Sequence, residues 1–474
     1  MDQPMYNPKH ELFCKFVLGK RVAVLGLGVS NLPIIETLNK CGAIVIGCDK
    51  RTEDQFDPKV LEKLKKFTKK LYLGNGYLEF LDDQHIIFRT PGIHPDTTQL
   101  VKARENGAMV TSEMEMFLSA CPCPVIGVTG SDGKTTTTTI IYEMLKTDGY
   151  DVLVGGNIGT PLCDQLEFID PSNAVVLELS SFQLMDLGYS PEIAVVTNVE
   201  PNHLDYHKDM EEYIEAKKHI FKYQTPGGRL VLNADNEITN AFEQEAVGSV
   251  IKFSLRSRPE HGAYVKGDTI YYDTMPIMKI TDIRLPGLHN VANYLAAIAA
   301  VYDLVEPSTI VKVAKTFRGV KHRLELVREY RGVKFYNDSI ASSPTRTIAG
   351  LKSFSQKVIL IAGGYDKKIP FDGFGEVVLE KVKALILMGA TANKIQREVE
   401  SHFTEDESIP ILHADDMEYA VKAALAIADR RDCVLLSPAC ASFDMYKNFE
   451  ERGDAFKQIV MSLGAEKFVT EESR

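Results

Sequence analysis

The sequence has no apolar run approaching the ~20 residues that cross a bilayer, so a helical membrane span is not expected. Met1 to Leu12 is polar and has no apolar stretch, so a secretory signal is not expected either. Basic residues are in deficit. Lysine plus arginine number 54 against 65 aspartate plus glutamate, a formal charge of −11. That balance argues against nucleic acid or an anionic membrane as the main partner, and leaves room for a local basic pocket around an anionic substrate. Cysteine patterning is also missing. Cys14, Cys41, Cys48, Cys121, Cys123, Cys163, Cys433 and Cys440 fall at no metal-like or disulfide-like spacing, and Cys121-Pro122-Cys123 is not a CxxC pair. Reduced thiols in a cytoplasmic protein are the expectation. There is no internal repeat and no low-complexity tract. What remains, 45% hydrophobic and 25% charged, is an ordinary globular composition. At roughly 150 residues per domain, 474 residues suggest about three domains.

Short β-branched runs alternate with helical stretches, the pattern of parallel sheets with crossover helices. A first block offers strands at 21–28, 43–49, 86–92 and 108–113. A second offers 124–130, 151–157, 174–180, 193–199 and 229–235, with 250–254 and 269–274 more hairpin-like. A third offers 357–364, 384–390, 409–414 and 433–439. The expected fold class is α/β in three domains, 1–117, 118–319 and 320–474.

The strongest motif is Gly130-Ser131-Asp132-Gly133-Lys134-Thr135-Thr136, between a strand-like PVIGVT and a helix-like KTTTTTIIYEML. Glycines let the backbone wrap a phosphate, and a helix N-terminus points N–H groups at it. A lysine adds a charge for the β/γ-phosphates, and a threonine hydroxyl holds Mg²⁺. The eight-residue form needs glycine where this chain has Val128, so the motif is the shorter GxxGK[ST]. The competing reading is a glycine turn with a solvated Lys134. Glu178 closes a later apolar strand in LELSSFQL, as a Mg²⁺ ligand beside the loop or as a surface carboxylate. In TNVEPNHLDYH, His203 and His207 are four apart, but the glutamate of a zinc-protease HExxH is absent. His203 reads as a metal or phosphate contact, and His207 as structural or surface. Lys217 falls at the centre of the helical apolar stripe Met210, Tyr213, Ile214, Ile220, Phe221. An ammonium there either snorkels or is paired, depressed in pKa or modified.

Later elements point to anion chemistry. His289, Asn290 and Asn293 open an Ala-rich helix, as caps or ligand contacts. Arg323 in KHRLE carries a guanidinium suited to phosphate. Asp338 sits at a strand end in FYNDSIASS, and GGYDKKIPF puts Asp366, Lys367 and Lys368 in a glycine turn. SPACASFDMYKNFEERGDAF is a small-residue loop running into a polar helix. In the first block, Gly26-Leu27-Gly28-Val29-Ser30-Asn31 lacks the third glycine of a dinucleotide fingerprint. Asp49, 21 residues past Gly28, stands where a ribose-binding acid would. The pair suits a nucleotide diphosphate at least as well as NAD.

Taken together, VTGSDGKTTTT, GGNIGTPL, YxxAKxxIF, LPGLHNVANYLAA and HRLE resemble the Mur ligases, the ATP-dependent amide-forming enzymes of peptidoglycan synthesis. The resemblance covers nearly the whole chain. VLELSSFQL, NDS-A and LLSPACASFDMYKNFEERGDAF are most like the D-glutamate-adding members, and the DNPR motif of the diaminopimelate- or lysine-adding relative is absent. The resemblance implies a Rossmann-like N-terminal domain, a central P-loop ATPase-type domain with a mostly parallel sheet, and a Rossmann-like C-terminal domain. It implies a cytoplasmic monomer that joins D-glutamate to UDP-N-acetylmuramoyl-L-alanine through an acyl phosphate, releasing ADP and phosphate.

The resemblance also implies roles. Gly130, Ser131, Asp132, Gly133, Lys134, Thr135 and Thr136, with Asn290, Asn293, Arg323 and Asp338, would hold ATP. Thr135 and Glu178 would bind one Mg²⁺. His203 and Lys217, the lysine as a CO₂-derived carbamate, would bind a second. Asn157 would lie near the reacting carboxylate. Val29, Ser30, Asp49, Arg51, Thr90 and Gly92 would hold the UDP part, and Lys367, Ser442 and Phe449 would hold D-glutamate. Two motifs depart from the family pattern. NDSKATN reads NDSIASS here, with Ile340 in place of a lysine, and GGxGK reads GGYDKK, so either Lys367 or Lys368 serves.

Overall fold

The computed structural model describes residues 7–28, 31–158, 161–201, 206–285, 287–366, 370–404 and 407–464. Val29, Ser30, His203, Lys367 and Lys368 lie outside the described residues. The chain divides into two compact units, Met1–Phe317 and Arg318–Arg474.

The first unit holds two sheets. The smaller is all parallel, in the order Lys70–Leu73, Ile44–Asp49, Arg21–Leu25, Ile86–Arg89, Met109–Ser112. Its central strands are continuous apolar runs, as a sheet covered on both faces requires. The strand order reverses beside Arg21–Leu25. That opens a crevice at the carboxyl ends of the strands, where Gly26–Gly28 and Thr90–Gly92 emerge. Lys70–Leu73, short and only half-buried, is a strand the sequence pattern did not reveal.

The larger sheet has nine strands, in the order Met275–Lys279, Thr269–Tyr272, Gly262–Lys266, Ser249–Ser254, Arg229–Asn233, Ile193–Val196, Val125–Thr129, Ala174–Glu178, Val152–Gly156. Ser249–Ser254 is not the hairpin strand expected. It runs parallel to Arg229–Asn233, because the short helical segments Glu237–Ala241 and Phe242–Glu245 provide a crossover. Thr269–Tyr272 does sit between two antiparallel neighbours. One face packs Val128, Val176 and Val195 against the helices Lys134–Asp148 and Leu288–Val301. The alanines of the second helix let the two helices approach closely. The other face packs Leu177, Ala194 and Val196 against Tyr213, Ile220 and Phe221 of the helix Met210–Lys222. The order reverses again at Val125–Thr129, and the phosphate-loop candidate leaves that strand.

One cysteine expectation is overturned. Cys14 and Cys41 form a disulfide. They are 27 residues apart, yet the helix Pro8–Val17 and the C-cap of Leu32–Lys40 bring their Cα atoms to 4.7 Å. The other six cysteines are free and buried.

The second unit is a six-stranded sheet in the order Glu325–Tyr330, Val333–Asn337, Cys433–Leu436, Val358–Ala362, Val382–Met388, Ile411–Ala414. All pairs are parallel except the first, an edge hairpin turned at Arg331 and Gly332, both with positive φ. Asp338, Gly363 and Ser437 each follow a parallel strand at its carboxyl end, so the loops they open gather along one edge. No helix among the described residues is long and apolar enough to cross a membrane.

Candidate active site

Gly130 leaves the strand Val125–Thr129 at φ 148°, and a Cβ there would collide with the Thr197 hydroxyl. Asn198 braces the turn: its carbonyl accepts from Ser131 N–H (2.9 Å) and its Oδ1 from Asp132 N–H (2.9 Å). The Ser131 hydroxyl donates to the Glu200 carbonyl and meets the Tyr213 hydroxyl at 2.9 Å. Gly133, at φ 78°, caps the helix Lys134–Asp148, and the side-chain oxygen of Asn293 fills the space its missing Cβ leaves. Asn293 also accepts from Thr137 and donates to Asn290, so both asparagines back the phosphate-loop candidate from the neighbouring helix. Lys134 lies across the turn, donating to the carbonyls of Gly130 (2.9 Å) and Ser131 (2.8 Å). Thr135 is buried and Thr136 half-buried at the head of the helix.

Glu178 is 2% exposed. Its Oε1 accepts from Asn157 Nδ2 at 2.7 Å, and Asn157 N–H donates to the Glu178 carbonyl. Its Oε2 is buried with no hydrogen-bond partner among the described residues. A buried carboxylate oxygen left unpaired is costly unless a cation meets it, so the donor set fits a divalent metal.

Lys217 does not snorkel. Its residue is 1% exposed, and Nζ donates to the Gly130 carbonyl at 2.9 Å, 4.6 Å from the centre of the Tyr213 ring. Burial, and then the Lys134 ammonium nearby, hold its pKa well below the ordinary lysine value. His207 is buried as well. It meets the Ser181 hydroxyl at 2.9 Å and packs among Phe182, Tyr206 and Tyr213, a structural placement.

In the smaller sheet, Asp49 accepts from the Leu27 and Arg51 N–H groups and from the Arg51 guanidinium. Burial would raise its pKa, but these donors hold it below the ordinary carboxylate value. Arg51 also covers the Phe56 ring at 4.1 Å. Thr90 packs under Gly26, and Gly92 is exposed. Asn31, which received no assignment from its sequence position, is 1% exposed and donates to the Leu25 and Gly26 carbonyls, pinning this loop. Thr197, Asn198 and Tyr213 escaped assignment too. The only sequence signal for them was proximity to strand ends and a place in the apolar stripe.

In the second unit, Asp338 is buried and accepts from the Ser437 hydroxyl (2.7 Å) and Leu324 N–H (3.2 Å). Burial pushes its pKa up to about 7. Arg323 is exposed. Ser442 is 3% exposed, and Phe449 opens the helix Phe449–Ser462 with its carbonyl accepting from Ser339.

Comparison with known proteins gives this architecture its family. Residues 20–112 match the Mur ligase MurD-like N-terminal domain, 128–301 the Mur ligase middle domain, and 322–440 the Mur ligase glutamate ligase domain. The chain is 54% identical over 466 residues to a UDP-N-acetylmuramoylalanine--D-glutamate ligase of Acetivibrio thermocellus, covering 97% of this chain and 100% of that protein. It is 50% identical over 454 residues to the protein of that name in Clostridium acetobutylicum, covering 95% and 98%. Among solved structures, the alanine ligase MurC of Thermotoga maritima matches with a TM-score of 0.56 at 17% identity, over 94% of this chain and all of that one, which supports the fold. The chain belongs to the Mur ligase family, with three α/β domains.

Proposed function

We propose that this chain joins D-glutamate to UDP-N-acetylmuramoyl-L-alanine at the expense of ATP, in the cytoplasm, during peptidoglycan precursor synthesis. The observation that carries the acceptor is the likeness, at 50–54% identity over nearly their whole length, to proteins named for that ligation. The phosphate-loop candidate at the switch point beside an unpaired Glu178 oxygen supports the chemistry.

The substrate carboxylate attacks the γ-phosphorus of ATP and ADP leaves. The D-glutamate amine then attacks the carbonyl carbon of the acyl phosphate, the C–N bond forms as nitrogen gives up a proton, and the C–O bond breaks so that phosphate leaves with the former carboxylate oxygen. Splitting the reaction turns a poor electrophile into a good one. The protein's share is positioning and neutralising charge. Lys134 exchanges its two loop carbonyls for β/γ-phosphate oxygens. Thr135 and Glu178 would hold one Mg²⁺, and His203 with Lys217 a second; such ions would supply neutralisation of phosphate charge. Lys217 fits carbamate formation because burial favours its neutral amine, the form that adds to CO₂ with release of one proton. Asn157 orients the reacting carboxylate. Asn290, Asn293, Arg323 and Asp338 serve ATP; Val29, Ser30, Asp49, Arg51, Thr90 and Gly92 serve UDP; Lys367, Ser442 and Phe449 serve D-glutamate. We propose domain limits at 117 and 319, and a monomer.

The test is phosphate release with Mg·ATP, UDP-N-acetylmuramoyl-L-alanine and a panel of D- and L-amino acids. Turnover with D-glutamate alone is expected. Turnover with a different acceptor would overturn the assignment, and silence with every acceptor would overturn ligase activity.

A further inference from the structure

Arg452 is an unusual buried cation. It stands in the first turn of the helix Phe449–Ser462, is 2% exposed, and makes no ion pair among the described residues. Its donors go instead to backbone and hydroxyl oxygens of two other segments. Nε donates to the Ser339 hydroxyl (3.0 Å), Nη2 to the Ser339 carbonyl (2.9 Å), and Nη1 to the carbonyls of Cys440 (3.0 Å) and Ala441 (3.1 Å). Two of these acceptors are shared. The Ser339 hydroxyl itself donates to the Phe449 carbonyl (2.8 Å), and the Ala441 carbonyl also accepts from Tyr365 N–H (2.9 Å). A Cβ at Gly364 would strike the Ala441 carbonyl and lie 3.2 Å from Nη1, so the glycine turn packs directly on this hub. Burial lowers the guanidinium pKa to about 10, so it stays charged near neutrality.

A planar fork with fixed donor directions suits this task, and a flexible ammonium does not reproduce it. The hub ends one residue from Ser442 and directly on the Phe449 carbonyl. Asp338, by contrast, is held by its own bonds to Ser437 and Leu324, independent of the guanidinium.

We infer that Arg452 is a positioning residue for the amino-acid site: it fixes Ser442 and Phe449 against each other and against the Gly363–Asp366 turn. The inference rests on the proposed role of Ser442 and Phe449 in holding D-glutamate. A dianionic amino acid gains most from donors already in place, so loosening the loop weakens its binding selectively.

The test compares Arg452→Lys and Ser339→Ala with the wild type. The KM for D-glutamate is expected to rise roughly tenfold or more in Arg452→Lys, and several-fold in Ser339→Ala, as for the loss of charge-assisted hydrogen bonds. The KM values for ATP and the UDP substrate stay within about twofold, which general destabilisation would not produce. Amide hydrogen exchange, which needs no substrate, is expected to rise in residues 439–449 while the strand Cys433–Leu436 stays protected. An unchanged D-glutamate KM in the two variants, a proportionate rise of all three KM values, or unchanged exchange would overturn the inference. If Arg452→Lys fails to fold, Ser339→Ala decides by the same readouts. If the wild type does not use D-glutamate, the functional reading falls, and exchange still decides whether Arg452 holds the loop.

Discussion

A single methyl group at Gly130 is enough to disturb the phosphate-loop candidate. The position combines φ 148° with a Cβ path into the Thr197 hydroxyl, and the Asn198 carbonyl lies 3.1 Å away. Gly130→Ala should lower kcat/KM for ATP by roughly two orders of magnitude and cost about 1–3 kcal/mol of stability through backbone strain; kinetics and thermal unfolding check both. Glu178 makes the opposite bargain. Its Oε2, without a hydrogen-bond partner among the described residues, is costly on its own, and the proposed metal would offset that cost. Glu178→Gln should therefore leave metal-free stability unchanged or slightly raised, while the Mg²⁺ concentration for half-maximal turnover rises roughly tenfold or more. A metal-free protein clearly destabilised by the change would contradict that role. Asp338 gives a pH signature. Its folded pKa of about 7 lies above the ordinary 3.8, so its favourable contribution is full below 3.8 and is lost as pH rises through about 7. The stability of Asp338→Asn relative to wild type should climb between pH 4 and 7 and then level off, which unfolding scans across that range measure.

At the scale of elements, the helix Met210–Lys222 carries the most information. Its 3.6-residue periodicity placed Lys217 on the buried face, and the structure leaves that residue 1% exposed. Lys217→Met keeps the volume and removes a buried amine whose charged form burial disfavours, so it should hold or raise thermal stability while abolishing turnover; retained activity would contradict the assigned role. The glycine loop was equally legible, because strand, turn and helix each carry local signals. Elements whose character depends on distant partners were not. Ser249–Ser254 looks like a hairpin strand locally, and only its crossover makes it parallel. Lys70–Leu73 and Glu325–Tyr330 are half-buried edge strands with weak alternation. The Cys14–Cys41 disulfide joins a helix to another helix's cap, a juxtaposition no spacing announces. Arg452 sits in a helix that reads as polar, and burial alone reveals it.

At the scale of the whole molecule, a chain of net charge −11 is proposed to gather three anionic substrates. Long-range attraction does not explain that; fixed local donors do. We propose that glycine turns and helix N-termini at the carboxyl edges of parallel sheets supply them, with Lys134 and Arg51 as local cations and Arg452, from the helix Phe449–Ser462, bracing the loop it packs against. We propose that the chain activates a carboxylate by phosphorylation before D-glutamate attacks. The most direct measurement supplies UDP-N-acetylmuramoyl-L-alanine labelled with ¹⁸O in its carboxylate, together with Mg·ATP and D-glutamate. Amide product, ADP and phosphate are expected in equal amounts, with one ¹⁸O in each phosphate. Unlabelled phosphate, or ATP turnover indifferent to D-glutamate, would contradict it.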